Sequence, residues 1–360
     1  MSSTTAKPVK GTAAAVPPIA VVGFAHSEHV AQTHGTTNGV EALVPCFQKL
    51  YAELGIARQD IGFWCSGSSD YLAGRAFSFI SAIDSIGATP SINESHVEMD
   101  GAWAAYEAWV KIATGEVDVA LAYGFGKPSA GDMDRTLALQ TDPYTVAPLW
   151  PDARSLAGLQ ARAGIDAGAW TEADMAAVGA RVHGGNAAAL LATDYVANPL
   201  RAHDIGQYTD GAAVVILASA ERAKQLVARP AWITGWDHRI DTPNFGARNL
   251  TVSPSTALAG DTALPDDRSF DVAELHTPYS HQELIVKSAL RLPDSVSITP
   301  SGGALAANPM FSAGLERIGY AATAITQGGA DRTLAHATGG PLLQQNMVVG
   351  FSSAATEGVN

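Results

Sequence analysis

The chain reads as an α/β protein made of two related βαβ-rich halves. Three observations predict this. Short continuous apolar runs, each ending in glycine or a loop, alternate with amphipathic stretches whose apolar residues recur at three- and four-residue steps. A helix at 101–113, a glycine and a strand at 117–123 recur as a helix at 312–327, Gly328-Gly329 and a strand at 332–336. Such duplication predicts two similar halves packed together. With 360 residues and 47% hydrophobic content, the chain can also bury a large core.

Each element has its own justification. Ile19-Ala-Val-Val-Gly23 is a buried strand, and 24–28 is a loop. Residues 38–55 form a helix on the spacing of Val40, Leu43, Val44, Phe47, Leu50 and Tyr51, stopped by Gly55. Strand 61–65 follows. Cys46 lies within the helix and reads as a packing residue; Cys65 precedes a Ser/Gly loop that could present a thiol, but with no basic residue or histidine nearby in sequence to lower its pKa it too reads as structural. Asp100 is an N-cap for helix 101–113, with Glu98 close behind it, and Gly115 ends that helix. The region 127–207 is less regular, an inserted loop region with helices near 171–186 and 183–193 and a capping box at Thr171-x-x-Asp174. Strand 208–217, helix 219–227 and strand 232–236 come next, and 237–267 reads as polar surface loop. Strand 271–275 ends at His276. Ser280-His-Gln-Glu283 reads as a capping box, with Tyr279 before the cap as a hydrophobic staple on Leu284 or as a catalytic side chain. The last strands are 332–336 and 344–351.

The stretch ITPSGGALAANPMFSAGLERIGYAATAI, 298–325, carries the most chemistry. A short strand runs into Gly302-Gly303, then Asn308-Pro309, then an amphipathic helix. Paired glycines let backbone N–H groups approach a bound group, and the helix N-terminus adds its dipole. The stretch is a place to hold an oxyanion, or more simply a strand-to-helix turn. His276 leaves the C-terminal end of a strand, where α/β proteins bind ligands.

Composition excludes several classes. The net charge of −13 argues against nucleic acid and anionic membrane surfaces as partners. Two cysteines make no disulfide framework and fit a reducing compartment. No apolar run reaches the length of a membrane span, and no Cys/His cluster indicates a metal. Residues 1–18 are small and polar without the apolar core of a signal peptide, which predicts a flexible tail and a soluble, cytoplasmic protein.

Four segments together resemble the thiolase superfamily over 19–351. They are TDGAAVVILAS, DVAELHTPYS, TPSGGALAANPMFSAG and the closing HATGGPLLQQNMVVGF. The resemblance implies a five-layer αβαβα arrangement, usually dimeric, with an N-terminal half at 19–265 and a C-terminal half at 266–360. The group it resembles most is the thiolase-like lipid-transfer proteins of bacterial sterol catabolism. The departures carry equal weight. Aligned on Gly101, Glu98 stands where a thiolase places its nucleophilic cysteine. The closing loop has His336-Ala-Thr-Gly339-Gly340 and no cysteine, and Asn308 stands in place of the histidine of a G-H-P motif. His276 is retained. Acyl transfer through a cysteine thioester is therefore excluded by residue inventory.

Two functions remain. One is an aldolase-type C–C lyase acting on a lipid or steroid side-chain acyl-CoA. Tyr279 or Glu98 would be its base, and His276, Asn308, His336 and the glycine pairs Gly302-Gly303 and Gly339-Gly340 would hold the thioester. The closing loop supplies no second tyrosine. The other is a non-catalytic subunit that pairs with an active partner and shapes its acyl-CoA site. The resemblance implies a homodimer or a heterodimer with another thiolase-like chain, and a small OB-fold, zinc-ribbon partner protein. It implies no cofactor bound by this chain, with CoA entering as part of the substrate. Arg201, Arg222 and Lys224 are the basic residues considered for CoA phosphates.

Overall fold

The computed structural model describes residues 16–34, 39–70 and 78–355; most of the tail expected at 1–18 lies outside them. In the first half the labelled elements are β1 (Ile19–His26), α1 (Leu43–Leu54), β2 (Phe63–Gly67), α2 (Ser78–Ile86), β3 (Glu94–Val97), α3 (Gly101–Ala113), β4 (Val119–Gly126), α4 (Ala153–Asp166), α5 (Glu172–His183), β5 (Gly211–Ser219) and α6 (Ala220–Leu226). They continue as β6 (Ala231–Ile240), α7 (Pro254–Ala263), β7 (Val272–Leu275), α8 (Ser280–Ala289), β8 (Ser297–Ile298), α9 (Ala313–Thr326), β9 (Arg332–Gly339) and β10 (Gln345–Ser352).

The ten strands form one sheet in the order β8-β7-β9-β10-β6-β1-β5-β4-β2-β3. The order is a repeat. In the first five strands β1 pairs antiparallel with β5, β5 antiparallel with β4, and β2 lies parallel between β4 and β3. In the last five, β6, β10, β9, β7 and β8 pair in the same sense and sequence. Helix positions repeat too: α3 precedes β4 as α9 precedes β9. By strand order the second copy begins at β6, Ala231, earlier than the 265/266 boundary drawn from the sequence. That strand runs on through Asp237–Ile240, a polar stretch that reads as loop but pairs residue by residue with β10.

Side-chain alternation along the strands makes five layers. Ile19 and Val21 of β1, Phe63 and Cys65 of β2, and Ala335 and Ala337 of β9 share a central core with α3 and α9. Ala20, Val22, Trp64 and Leu121 face the other way, onto α1 and α2. Ala273, Leu275 and Leu334 face α4, α7 and α8. Helix, half-sheet, paired central helices, half-sheet and helix follow in that order.

Close approach at the centre depends on glycine. A Cβ on Gly124 would sit 2.4 Å from the Phe311 carbonyl, the same carbonyl that accepts from Gly101 N–H at 2.9 Å. Asp100 caps α3 through Ala102 N–H at 2.8 Å, and it also accepts from Gly314 and Leu315 N–H of α9 at 2.9 Å each. One carboxylate therefore closes the N-termini of both central helices.

Several sequence expectations are corrected. Helix α7 lies within the segment read as loop; Pro254 and Gly260 look like breakers, yet Pro254 takes the first turn and Ser253 caps it. Helix α4 lies in the region read as irregular. The capping box at Ser280 does not form: α8 starts at Ser280, whose hydroxyl donates to Asp204 Oδ1 at 2.5 Å, while Glu283 pairs with Arg181. The box at Thr171 and Asp174 is present. Among the described residues no helix is long and apolar enough to cross a membrane.

Candidate active site

The C-terminal ends of β7 and β9 open into a cavity of about 670 Å³. His276, Tyr279, Asn308, Glu98, Gly339 and Gly340 all line it, so residues spread over 243 sequence positions meet at one place. Two further residues line it that sequence reading did not place there as functional groups, Tyr208 and Asp100.

His276 is 6% exposed and follows the last residue of β7. Its N–H donates to the His336 carbonyl at 3.1 Å, and the Thr338 N–H donates to Nδ1 at 3.4 Å. An Nδ1 that accepts leaves Nε2 carrying the proton of the neutral ring. Burial, then the neighbouring His336 and Arg317, drive its pKa down to about 3, while the Asn308 side chain opposes the shift. The ring is therefore neutral at physiological pH and offers an N–H donor, the form that polarises a carbonyl without supplying a cation.

Asn308 is held by backbone. Asn308-Pro309 lies parallel to Tyr208-Thr209, and Asn308 N–H donates to the Gln207 carbonyl at 2.9 Å. The side chain is buried beside the His276 ring, near enough to act on its ionisation, yet among the described residues no group makes a well-formed hydrogen bond to its Oδ1. A buried orphan polar atom costs roughly 1–3 kcal/mol and marks a place where a ligand group is expected.

This ladder also delivers Tyr208. Its phenol lies close enough to that of Tyr279 for each to act on the other's ionisation, and burial raises both phenol pKa values, Tyr279 well above its ordinary value. Arg154 acts on both in the opposite sense. Tyr279 is also tied to Ile205 by an isolated antiparallel bridge. A second tyrosine thus reaches the cavity from the strand leading into β5, where the closing loop supplies none. The signal available was TDGAAVVILAS itself, which begins one residue after Tyr208.

Glu98 stands at the mouth. Its side chain is 53% exposed, and it accepts from Asp70 N–H at 3.1 Å and lies 3.4 Å from His96 Nε2. The N-terminus of α3 belongs instead to Asp100, which burial pushes up to about 7 against three backbone N–H groups that hold it down.

Three expected residues sit away from the cavity lining. His336 lies inside β9, fully buried, with Nε2 3.0 Å from Asn346 Oδ1 and its pKa lowered to about 4 by burial. The strand continues three residues beyond it, so His336 is not in a loop; it supports His276 from behind through its carbonyl. Gly302 and Gly303 adopt φ of 87° and 60°, as the paired-glycine reading requires. Their N–H groups are already engaged, Gly302 with the Thr299 carbonyl at 3.0 Å and Gly303 with Ser301 Oγ at 3.3 Å. They shape the turn and leave no free donor for an oxyanion.

Neither cysteine lines the cavity. Cys65 is buried and pushed up to about 12 by desolvation; Cys46 is raised to about 11 for the same reason. Both stay thiols at neutral pH. Arg201, Arg222 and Lys224 do not line the cavity either, and Arg201 is paired with Glu172 at 2.5 Å.

Three solved structures share this architecture over nearly the whole chain. The Ltp2-ChsH2(DUF35) aldolase matches with a TM-score of 0.76 at 16% identity, covering 93% of this chain and 98% of that one. Human mitochondrial 3-ketoacyl-CoA thiolase gives 0.74 at 15% identity, with 95% and 100% covered. The Bacillus anthracis acetyl-CoA acetyltransferase gives 0.76 at 14% identity, with 94% and 99% covered. The chain has the thiolase fold. No protein-family model matches the sequence, and no curated protein matches it.

Proposed function

We propose that the chain is a thiolase-fold C–C lyase that cleaves a β-hydroxyacyl-CoA ester of a lipid or steroid side chain by a retro-aldol reaction, working with a partner protein. The observation that carries this reading is the Tyr208–Tyr279 hydroxyl pair in a cavity with His276 and Asn308 and no cysteine. A retro-aldol step needs an acceptor for the β-hydroxyl proton, a donor for the α-carbon and an electrophilic site for the thioester oxygen. It needs no nucleophile.

The raised phenol pKa values decide how the tyrosines act. A buried, neutral phenol is a poor resident base. Two adjacent neutral phenols can instead relay a proton, the first passing its own to the second as it takes one from the substrate. One takes the β-hydroxyl proton as the Cα–Cβ bond breaks and the bond's electron pair moves into the thioester enolate. The other gives its proton to the α-carbon. The pair ends as it began, and the products are a ketone or aldehyde and a shorter acyl-CoA. His276 Nε2–H donates to the enolate oxygen. The Asn308 side chain beside it completes the site, through its amide N–H₂ toward the enolate oxygen or its unpartnered Oδ1 toward a substrate hydroxyl. CoA enters as part of the substrate, and the cleavage steps call on no cofactor held in this cavity.

The similarity to an aldolase whose name has two components, Ltp2 and ChsH2, supports a partner for this chain. The partner is taken to be the small OB-fold, zinc-ribbon protein implied by the resemblance, joined to a homodimer or a heterodimer with another thiolase-like chain. A cytoplasmic location fits a CoA ester as substrate.

The test is co-expression with the genomic neighbour encoding such a partner, then assay of a 17-hydroxy steroid side-chain CoA ester for release of a short acyl-CoA. Cleavage is expected, with Tyr279→Phe and His276→Ala each lowering kcat by about 10²-fold or more. Full activity in the double variant overturns the assignment. No cleavage with any partner leaves the non-catalytic subunit as the reading.

A further inference from the structure

Away from the cavity, three side chains with metal-ligand chemistry converge at the end of β1. His26 Nε2 or Nδ1, His29 and a Glu316 carboxylate oxygen offer atoms that lie within 4.8 Å of one another. His29 Nε2 is 2.9 Å from Glu316 Oε1, and the His26 and His29 rings stack with centroids 5.2 Å apart. None of the three lines the cavity.

The hydrogen bonds around His26 select one nitrogen. Nδ1 lies 2.7 Å from the Ser27 carbonyl, which can only accept, so Nδ1 carries the proton. Nε2 then keeps its lone pair, here accepting from the Tyr320 hydroxyl at 2.9 Å. A ring N–H on a backbone carbonyl, with the lone pair left on the other nitrogen, is the arrangement that orients metal-binding histidines.

The charge count points the same way. Arg317 Nη1 is 2.9 Å from Glu274 Oε2, and Nη2 is 3.3 Å from Glu316 Oε2. All three side chains are at most 2% exposed. One guanidinium thus faces two carboxylates, and the buried group carries a formal charge of −1. Buried charge of that kind is costly unless a further cation compensates it. Glu316 Oε1 turns toward His29, so a cation held by His29 and His26 would be placed to compensate it.

We propose that His26 Nε2, His29 Nε2 and Glu316 bind one divalent transition-metal ion of the zinc type. Two imidazoles and one carboxylate favour zinc, cobalt, nickel or copper over magnesium or calcium, which prefer all-oxygen shells. Metal–ligand bonds of about 2.0–2.1 Å require the three atoms to close in by small side-chain movements. His26 is at least partly exposed, so the fourth position opens to water, and a metal on Nε2 would displace the Tyr320 hydroxyl that now donates to it. The ion would tie the end of β1 to α9, the helix whose first amides hold Asp100.

The experiment uses the full-length, untagged chain stripped with chelator, titrated with Zn²⁺ against a competing indicator, with Co²⁺ substitution as an optical readout. One Zn²⁺ per chain is expected, with a rise in melting temperature and the intense visible d–d bands of four-coordinate Co²⁺. His26→Ala is expected to weaken Zn²⁺ binding by at least about tenfold, the scale already reached when only an outer-shell partner is lost. It should abolish the Co²⁺ bands while the circular dichroism of the fold is unchanged. His29→Ala should do the same, and His96→Ala, on another strand, should bind as the unmodified chain does. No stoichiometric Zn²⁺ binding by the unmodified chain, or a loss below tenfold in both His26→Ala and His29→Ala, overturns the proposal.

Discussion

Tyr208 sits in the two-residue strand before β5, beside the TDGAAVVILAS segment, which marks the fold without singling out the tyrosine. The strand after it, GAAVVILAS, is fully buried over all but its last residue, and its apolar run dominates the local pattern. The tyrosine becomes part of the site only because Tyr208-Thr209 pairs with Asn308-Pro309, a contact across 100 residues. Tyr279, His276 and Asn308 were legible because each stands in a motif with its own local logic, at a strand end or a turn. Tyr208 was not, because its role depends on a two-residue ladder too short for any sequence period. If the relay operates, Tyr208→Phe removes the hydroxyl that completes it while leaving the ring and its packing. The expected outcome is a fall in kcat of about 10²–10⁴, the range for losing a proton-transfer group, with little change in KM. Steady-state kinetics of the partnered enzyme checks this; an unchanged kcat would assign the proton transfer to Tyr279 alone.

Asp100 acts at the scale of elements. Its carboxylate joins the N-termini of α3 and α9, one from each copy of the repeat, through Ala102, Gly314 and Leu315 N–H. The sequence shows half of this, an N-cap before helix 101–113. The other half was hidden because its donors lie 214 and 215 positions away on a helix with its own start signal. Helix dipoles and three N–H donors favour the ionised form, and burial disfavours it more strongly, so the folded pKa rises to about 7 from an ordinary carboxylate value of 3.8. The sign follows from linkage: a group with a raised folded pKa binds its proton more tightly in the folded state. Its contribution is full below about pH 4 and is lost as the pH rises through about 7. Asp100→Asn cannot titrate, and it loses one acceptor for the three donors, at a cost of roughly 1–3 kcal/mol. Compared by urea unfolding between pH 4 and 8, the unmodified chain should lose stability relative to this variant as the pH rises. A difference that stays flat with pH would place the pKa of Asp100 outside that window.

The whole molecule is a duplicated five-strand unit in which neither copy closes its own core. The sequence shows the duplication through two helix–glycine–strand segments, because those keep their apolar period. The inserted region between β4 and β5 obscures the rest, since the second copy joins β9 to β10 through five residues, 340–344. Helices α4 and α7 escaped notice for a related reason. Their buried faces are built largely from Ala, Gly, Ser and Thr, which carry little hydrophobic signal but let backbones approach. The energetic consequence lies in the central layer. Residues of α3 and β2 from the first copy and of α9, β9 and β10 from the second belong to a single buried cluster. The two copies also share a sheet through the β1–β6 pairing of Ala20 with Trp232 and Val21 with Ala231. Parting them would expose Ala105, Ile112, Leu315 and Ile318 together, and each large side chain taken out of water is worth about 1.5–3 kcal/mol. The halves are therefore expected to unfold as one unit in spite of a chain length that often gives two domains. Urea denaturation followed by both tryptophan fluorescence and far-ultraviolet circular dichroism should give coincident single transitions. Separate transitions by the two probes, or a cooperatively folded fragment comprising residues 16–230 alone, would show that the central layer does not couple the copies.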